Sequence, residues 1–263
     1  RICLVGSEMC IRDSFHDDLR QGFDAINSER YPWLDDLRKA PWSGVLCLGM
    51  GGSAAGGDFL AALTAHDGGC PVVVHRGYTL PAWFDATWLV LATSHSGNTE
   101  ETVAATEAAL KMEATVVVIA TGGVLAGLPE LSPRCYLVPT VGGQPPRTAF
   151  GHIFSRQVAV LEHLGLLTPQ AADQREAMLQ RLAANNEHFD VLAQPEGDIA
   201  LLAAALMDQP IAVVGPLEMA PALNPIQEPD ERKRCSLCTH GRRSRDEPQR
   251  KRGLGWRGSR RRR

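Results

Sequence analysis

Three short segments carry residues suited to holding an anion and steadying charge near it. The first is Gly49-Met50-Gly51-Gly52-Ser53-Ala54-Ala55-Gly56-Gly57, which follows an apolar run at 45–48 and opens a helix-like stretch. Glycines let backbone N–H groups come close to an anion, and a helix N-terminus favours negative charge. Gly51, Gly52 and Ser53 are the candidate donors, Ser53 through its hydroxyl. The second is Ser94-His95-Ser96-Gly97-Asn98-Thr99-Glu100-Glu101-Thr102, again between a strand end and a helix start. Ser94, Ser96 and Thr99 place three hydroxyls beside free helix N–H groups, an arrangement that holds a phosphate monoester without metal or lysine. The third is Gly142-Gly143-Gln144-Pro145-Pro146-Arg147. Its rigid Pro-Pro step sets a guanidinium at a helix start, where Arg147 could bind a sugar hydroxyl or stabilise an oxyanion.

Each segment also has a plainer reading. The glycines could serve a tight turn, the Ser, Asn and Thr residues could cap a helix with Glu following, and Arg147 could be a solvated cation. Two hydroxyl-bearing loops on successive strand ends favour a phosphate site. The spacing Gly49, Gly51, Ala54 also fits a dinucleotide fingerprint. That reading wants an acid about 20 residues on, where the chain offers His75 and Arg76. An NADP site could use Arg76, but it leaves Ser94–Thr99 without a task.

Such loops need a scaffold to present them. Phe15, Leu19, Phe23 and Ile26 recur at helical spacing after Ser14, a candidate N-cap. Strand-like runs follow at 45–48, 72–74, 88–92, 114–120, 136–138 and 211–214, and helix-like runs at 58–65, 97–112, 148–164 and 169–192. The alternation predicts an α/β fold, a doubly wound parallel sheet covered on both faces. Ligands in such sheets bind at the carboxyl ends of the strands, where the first two segments fall. The run at 211–214 reads as the opening of a second α/β unit. The expected division is a first domain over 14–195 with an N-terminal helix, and an incomplete second over 196–228. A segment at 1–13 and an Arg-rich tail at 229–263 fall outside both.

Composition narrows the class. The chain has 263 residues, 44% hydrophobic and 22% charged, which is ordinary globular usage. Its apolar stretches, such as 199–207, are too short to span a bilayer, so no membrane role is expected. Seven scattered cysteines fit free thiols in a reducing cytoplasm better than a disulfide scaffold. No signal-peptide pattern is present. Residues 229–263 hold 14 of the 27 Lys and Arg and 4 of the 30 acids, leaving 13 and 26 in residues 1–228. An acidic body does not suit nucleic acid, and a nucleic-acid arm in the tail would leave the three loops unexplained. Cys235, Cys238 and His240 form half a zinc site without a second pair, so no metal is expected.

The three loops together resemble the bifunctional phosphoglucose/phosphomannose isomerases of the sugar isomerase (SIS) superfamily. That family carries a G-M-G-G-S-A loop, an S-x-S-G-N-T-E-E-T loop and a G-G-Q-P-P-R segment in this order, matched here at 49–54, 94–102 and 142–147. The likeness runs over about residues 14–228 and implies a flavodoxin-like SIS domain followed by the start of a second. It implies that Ser53, Ser94, Ser96 and Thr99 hold the phosphate of a hexose 6-phosphate and that Arg147 acts near the reacting carbons. The implied reaction is aldose–ketose isomerisation through an enediol, without cofactor, in a protein that forms dimers. The alternative is an SIS module that binds a phosphosugar without chemistry.

The family's base is the glutamate of an N-E-N segment in the second domain, and a histidine of a later H-N pair assists ring opening. Gln227-Glu228 resembles the start of the first, but Pro229-Asp230 does not continue it, and no His-Asn pair follows. Codons can be chosen for 228–234 and 246–250 so that reading one base later yields Asn-Glu-Asn and His-Asn. The tail is therefore expected to be a frameshifted translation, the chain a fragment starting at Arg1, and its isomerase activity impaired.

Overall fold

The computed structural model describes residues 15–146, 148–191 and 193–207, with short pieces at 211–213, 215, 219–223 and 235–237. Helices α1 (Phe15–Asp24) and α2 (Trp33–Leu37) precede β1 (Gly44–Leu48), α3 (Gly51–Asp67), β2 (Val72–His75) and β3 (Trp88–Ser94). Then come α4 (Glu100–Lys111), β4 (Val116–Ala120), α5 (Gly123–Leu131), β5 (Cys135–Pro139), α6 (Phe150–His163), α7 (Ala172–His188) and α8 (Asp198–Leu206). The short pieces add β6 (Ile211–Val213), α9 (Ala220–Leu223) and β7 (Cys235–Leu237), with β6 parallel to β7.

The β-branched and apolar runs become five parallel strands in the order β2-β1-β3-β4-β5. Their side chains alternate between two cores, as a pleated strand requires. Val45, Cys47, Leu89, Leu91, Val117 and Ile119 face α1, α2, α3 and α6. Leu46, Leu48, Val90, Ala92, Val116 and Val118 face α4 and α5. Right-handed crossovers explain the split. The chain winds one way from β1 through α3 to β2, and the other way from β3 through α4 and α5, so the helices land on opposite faces. The expected doubly wound sheet is therefore the observed one.

Element limits differ from the periodicity in instructive places. Helix α3 starts at Gly51, not at 58, because Gly56 and Gly57 are buried where the helix packs closely on Gln157 of α6 and on the sheet. Helices α2 and α5 leave no periodic mark in the sequence; one is five residues long and the other contains Pro129. The expected cap Ser14, the segment 1–13, and the tail apart from 235–237 lie outside the described residues.

A buried contact between Asp18 and His152 joins α1 to α6. His152 Nε2 lies 3.2 Å from Asp18 Oδ1, with both residues almost fully buried. Burial pushes the Asp18 carboxyl up and the His152 imidazole down from their ordinary values, against their mutual attraction. A depressed histidine means that the unfolded chain binds more protons than the folded one below the ordinary value of 6.5. Its stabilising contribution is thus lost as pH falls through that window. Asp18 acts with the opposite sign in a lower window, above its ordinary 3.8. Melting temperature is expected to fall from pH 7 to pH 5, with a shallower slope in His152→Gln. Equal slopes in thermal melts of the two proteins would remove His152 as the cause.

Candidate functional site

The winding reverses between β1 and β3, and the crevice of such a sheet opens there, beyond the carboxyl ends of the strands. The loop after β1 leads into α3 and the loop after β3 into α4. They meet at their roots: a Cβ on Gly49 would lie 3.1 Å from the Thr93 carbonyl oxygen.

Helix α3 begins after an extended Met50, with Gly51 at φ 51°, and no side chain caps it. Ser53 stands half-buried in its first turn, and its amide donates to the Met50 carbonyl at 3.1 Å. Thr99 precedes α4 at φ −64°, ψ 114°, yet it makes no side-chain cap. Its hydroxyl lies 2.9 Å from Ser94 Oγ instead. Ser94 is 2% exposed and also accepts the Gly97 amide at 3.1 Å. Exposed Ser96 accepts the Asn98 amide at 3.2 Å. Asn98 Oδ1 accepts the Val124 amide at 3.0 Å and so caps α5 rather than α4. Helix α5 thus has a side-chain acceptor at its start, whereas Met50 and Thr99, the residues that precede α3 and α4, make no side-chain cap. Tyr78, exposed on the connection from β2, sits against Glu101 and Glu100 at the start of α4, which push its phenol up.

The third loop is tied to the second. His95 Nε2 lies 3.0 Å from the Gln144 carbonyl, and the Thr121 amide and hydroxyl both donate to the His95 carbonyl. Thr148 Oγ1 donates to the Pro145 carbonyl at 2.8 Å, closing the turn before α6. Arg147 and Glu228 lie outside the described residues. The structure therefore brings Gly51, Gly52, Ser53, Ser94, Ser96 and Thr99 to one sheet end, with the flanks of Arg147 beside them. Neither the bridge by His95 nor the cap by Asn98 is visible in the sequence. Both depend on contacts between segments distant in the chain, for which local sequence holds no signal.

The dinucleotide alternative fares worse. Arg76 at the end of β2 is paired with Asp58 on α3, so the guanidinium that reading needs is already engaged. Among the described residues no cluster of three or more His, Cys, Asp or Glu could hold a metal ion, and no helix is long and apolar enough to cross a membrane. Cys238 and His240 lie outside the described residues.

Comparison with known proteins points the same way. The chain is 35% identical over 156 residues to the bifunctional phosphoglucose/phosphomannose isomerase of Caldicellulosiruptor bescii, covering 59% of this chain and 45% of that protein. It is 32% identical over 156 residues to the enzyme of the same name from Aquifex aeolicus, covering 58% and 47%. Over the matched residues this chain is similar to the bifunctional phosphoglucose/phosphomannose isomerases. The match spans about half the length of those relatives. No protein-family model matches the chain.

Solved structures agree on the α/β fold. A protein of Salmonella typhimurium LT2 described as sugar-binding superposes with a TM-score of 0.61 at 17% identity, over 88% of this chain and 74% of its own. The C-terminal domain of glucosamine-fructose-6-phosphate aminotransferase from Francisella tularensis gives 0.56 at 12% identity, over 80% and 62%.

Proposed function

We propose that this chain binds a hexose 6-phosphate between the loops that follow β1 and β3, and that the site serves aldose–ketose isomerisation. The observation that carries this reading is the pair of helix starts without side-chain caps at the switch point, flanked by Ser53, Ser96 and Thr99. Free N–H groups and hydroxyls together match the acceptor-rich, doubly charged phosphate of a sugar monoester. Ser94, nearly buried, holds Thr99 and the Gly97 amide in place and acts on the phosphate through them.

In the proposed reaction a base takes the C2 proton of the open-chain aldose, giving an enediolate. Return of that proton to C1, with the C2 hydroxyl proton passing to the C1 oxygen, turns the C1 carbonyl into a hydroxyl and the C2 hydroxyl into the ketone. The exchange is redox-neutral and consumes no co-reactant. Arg147 is assigned to the charge that develops on the enediolate oxygens. Glu228 is the base candidate in this chain, in a context unlike the relatives' glutamate segment. Loss of a well-placed general base costs about 10²–10⁴ in rate, so slow isomerisation is the expected behaviour.

Calorimetric titration of the full chain with fructose 6-phosphate is expected to show saturable binding that inorganic phosphate displaces, and titration with NADP+ to show none. Saturation by NADP+ with no response to fructose 6-phosphate would overturn the reading. Exchange of the glucose 6-phosphate C2 proton in deuterated water, followed by proton NMR, then separates an isomerase from a phosphosugar-binding module. Sequencing the coding DNA across codons 215–263 tests the expected frameshift, which restores Asn-Glu-Asn and His-Asn one base later.

A further inference from the structure

Beneath the two loops lies a buried amide for which the proposed chemistry has no direct use. Gln157 on α6 is 1% exposed, and its Nε2 donates to Thr93 Oγ1 at 2.9 Å. Thr93, also 1% exposed, immediately precedes Ser94 at the root of the second loop. On its other side the amide meets α3: a Cβ on Gly56 would lie 2.1 Å from Gln157 Oε1. Gly56 follows Ser53 by three residues in the helix that the first loop opens. The Gln157 side chain is thus wedged between the supports of both loops. Its Oε1 has no hydrogen-bond partner.

That combination is poor design for stability alone. A buried acceptor left unpaired costs stability, and an apolar residue of similar length would avoid that cost. Departures of this kind are expected where position matters more than stability. A glycine at 56 is the matching half of the arrangement, since any side chain there would strike the amide.

We propose that Gln157 is a positioning residue that sets the distance between the two phosphate-binding loops, by holding Thr93 at one end and seating Gly56 at the other. This rests on the proposed function for its consequence in binding, but its structural content is independent of any ligand. In Gln157→Met, which keeps length and removes the amide, the backbone amide resonances of residues 50–54 and 95–99 are expected to move together in 15N-edited NMR spectra of the full chain. Affinity for fructose 6-phosphate is expected to fall about tenfold, the equivalent of one lost hydrogen bond, with the melting temperature unchanged or raised. Thr93→Val, nearly the same shape, is expected to move the same two sets of resonances.

Resonances that stay in place in either loop, with affinity retained and only the melting temperature lowered, would reduce Gln157 to a packing residue and overturn the proposal. If the parent chain binds no fructose 6-phosphate, the proposed function fails. Joint movement of the two loops still supports the positioning role, and movement of one or neither overturns it.

Discussion

Alanine at Gly97 is expected to lower stability by about 2–6 kcal/mol and to remove phosphosugar binding with it. The position combines two penalties. Gly97 sits at φ 69°, a left-handed conformation that residues with a Cβ adopt only at a cost. An added Cβ would also lie 1.8 Å from the Gly122 carbonyl oxygen, which belongs to backbone and has no rotamer by which to move away. Strain of about 1–3 kcal/mol and overpacking of about 1–3 kcal/mol add to the stated range. For a domain of 150–250 residues this corresponds to a melting temperature lowered by roughly 10 °C.

Binding suffers because the Gly97 amide donates to Ser94 Oγ and the Gly97 carbonyl accepts from Leu125. Shifting that peptide pulls apart the Ser94–Thr99 pair and the start of α5 together. Gly143→Ala provides the contrast. It too has positive φ, at 86°, but open space around it. It should pay only the backbone strain and keep fructose 6-phosphate affinity. Thermal melts and calorimetry on both variants check this, and equal losses in the two would refute the close-approach argument.

The fold was largely legible because burial on both faces leaves a strong mark. Val116, Val117, Val118 and Ile119 are each fully buried, and an unbroken β-branched run of that kind suits a strand covered on both faces and little else. The helix starts were less legible because two rules compete there. Glycine disfavours helix, which argues against α3 beginning at Gly51. Close packing of Gly56 on Gln157 and of Gly57 on Cys47 and Val74 rewards glycine instead, and that reward depends on tertiary neighbours. The site divides in the same way. Which residue types gather at the strand ends could be read, because serine, threonine and glycine at a strand-to-helix junction have a local meaning. The division of labour could not. Ser94 turns inward, Asn98 caps a helix 26 residues on, and His95 reaches the Gln144 carbonyl. Each outcome follows from how three loops stack, which no local pattern encodes.

Thr99 and Ser94 are expected to separate when each loses its hydroxyl, and the separation tests the proposed site most directly. Thr99→Val keeps the β-branched shape and removes one hydroxyl from the start of α4. No cap is lost, since the Thr99 side chain makes none, but its hydrogen bond to Ser94 Oγ is, so stability should fall by about 0.5–1.5 kcal/mol. A hydrogen bond to a charged phosphate contributes about 1.5–3 kcal/mol, so fructose 6-phosphate affinity should fall about 10- to 100-fold. Ser53→Ala, on the other loop, should lose affinity alike. Ser94→Ala should lose more stability. At 2% exposure its oxygen shares the Gly97 amide with the Ser94 carbonyl and pairs with the Thr99 hydroxyl, so removing it takes away two hydrogen bonds and stability should drop by about 1–3 kcal/mol along with affinity. The phosphate itself supplies a control. Its second ionisation lies near pH 6, so binding to N–H and hydroxyl donors should weaken below that value in the parent and in each variant. Unchanged affinity in both Thr99→Val and Ser53→Ala, measured by calorimetry at about pH 7.5, above that ionisation, would place the phosphate elsewhere. Stability losses in Ser94→Ala and Thr99→Val without loss of affinity would then leave these loops only a structural part.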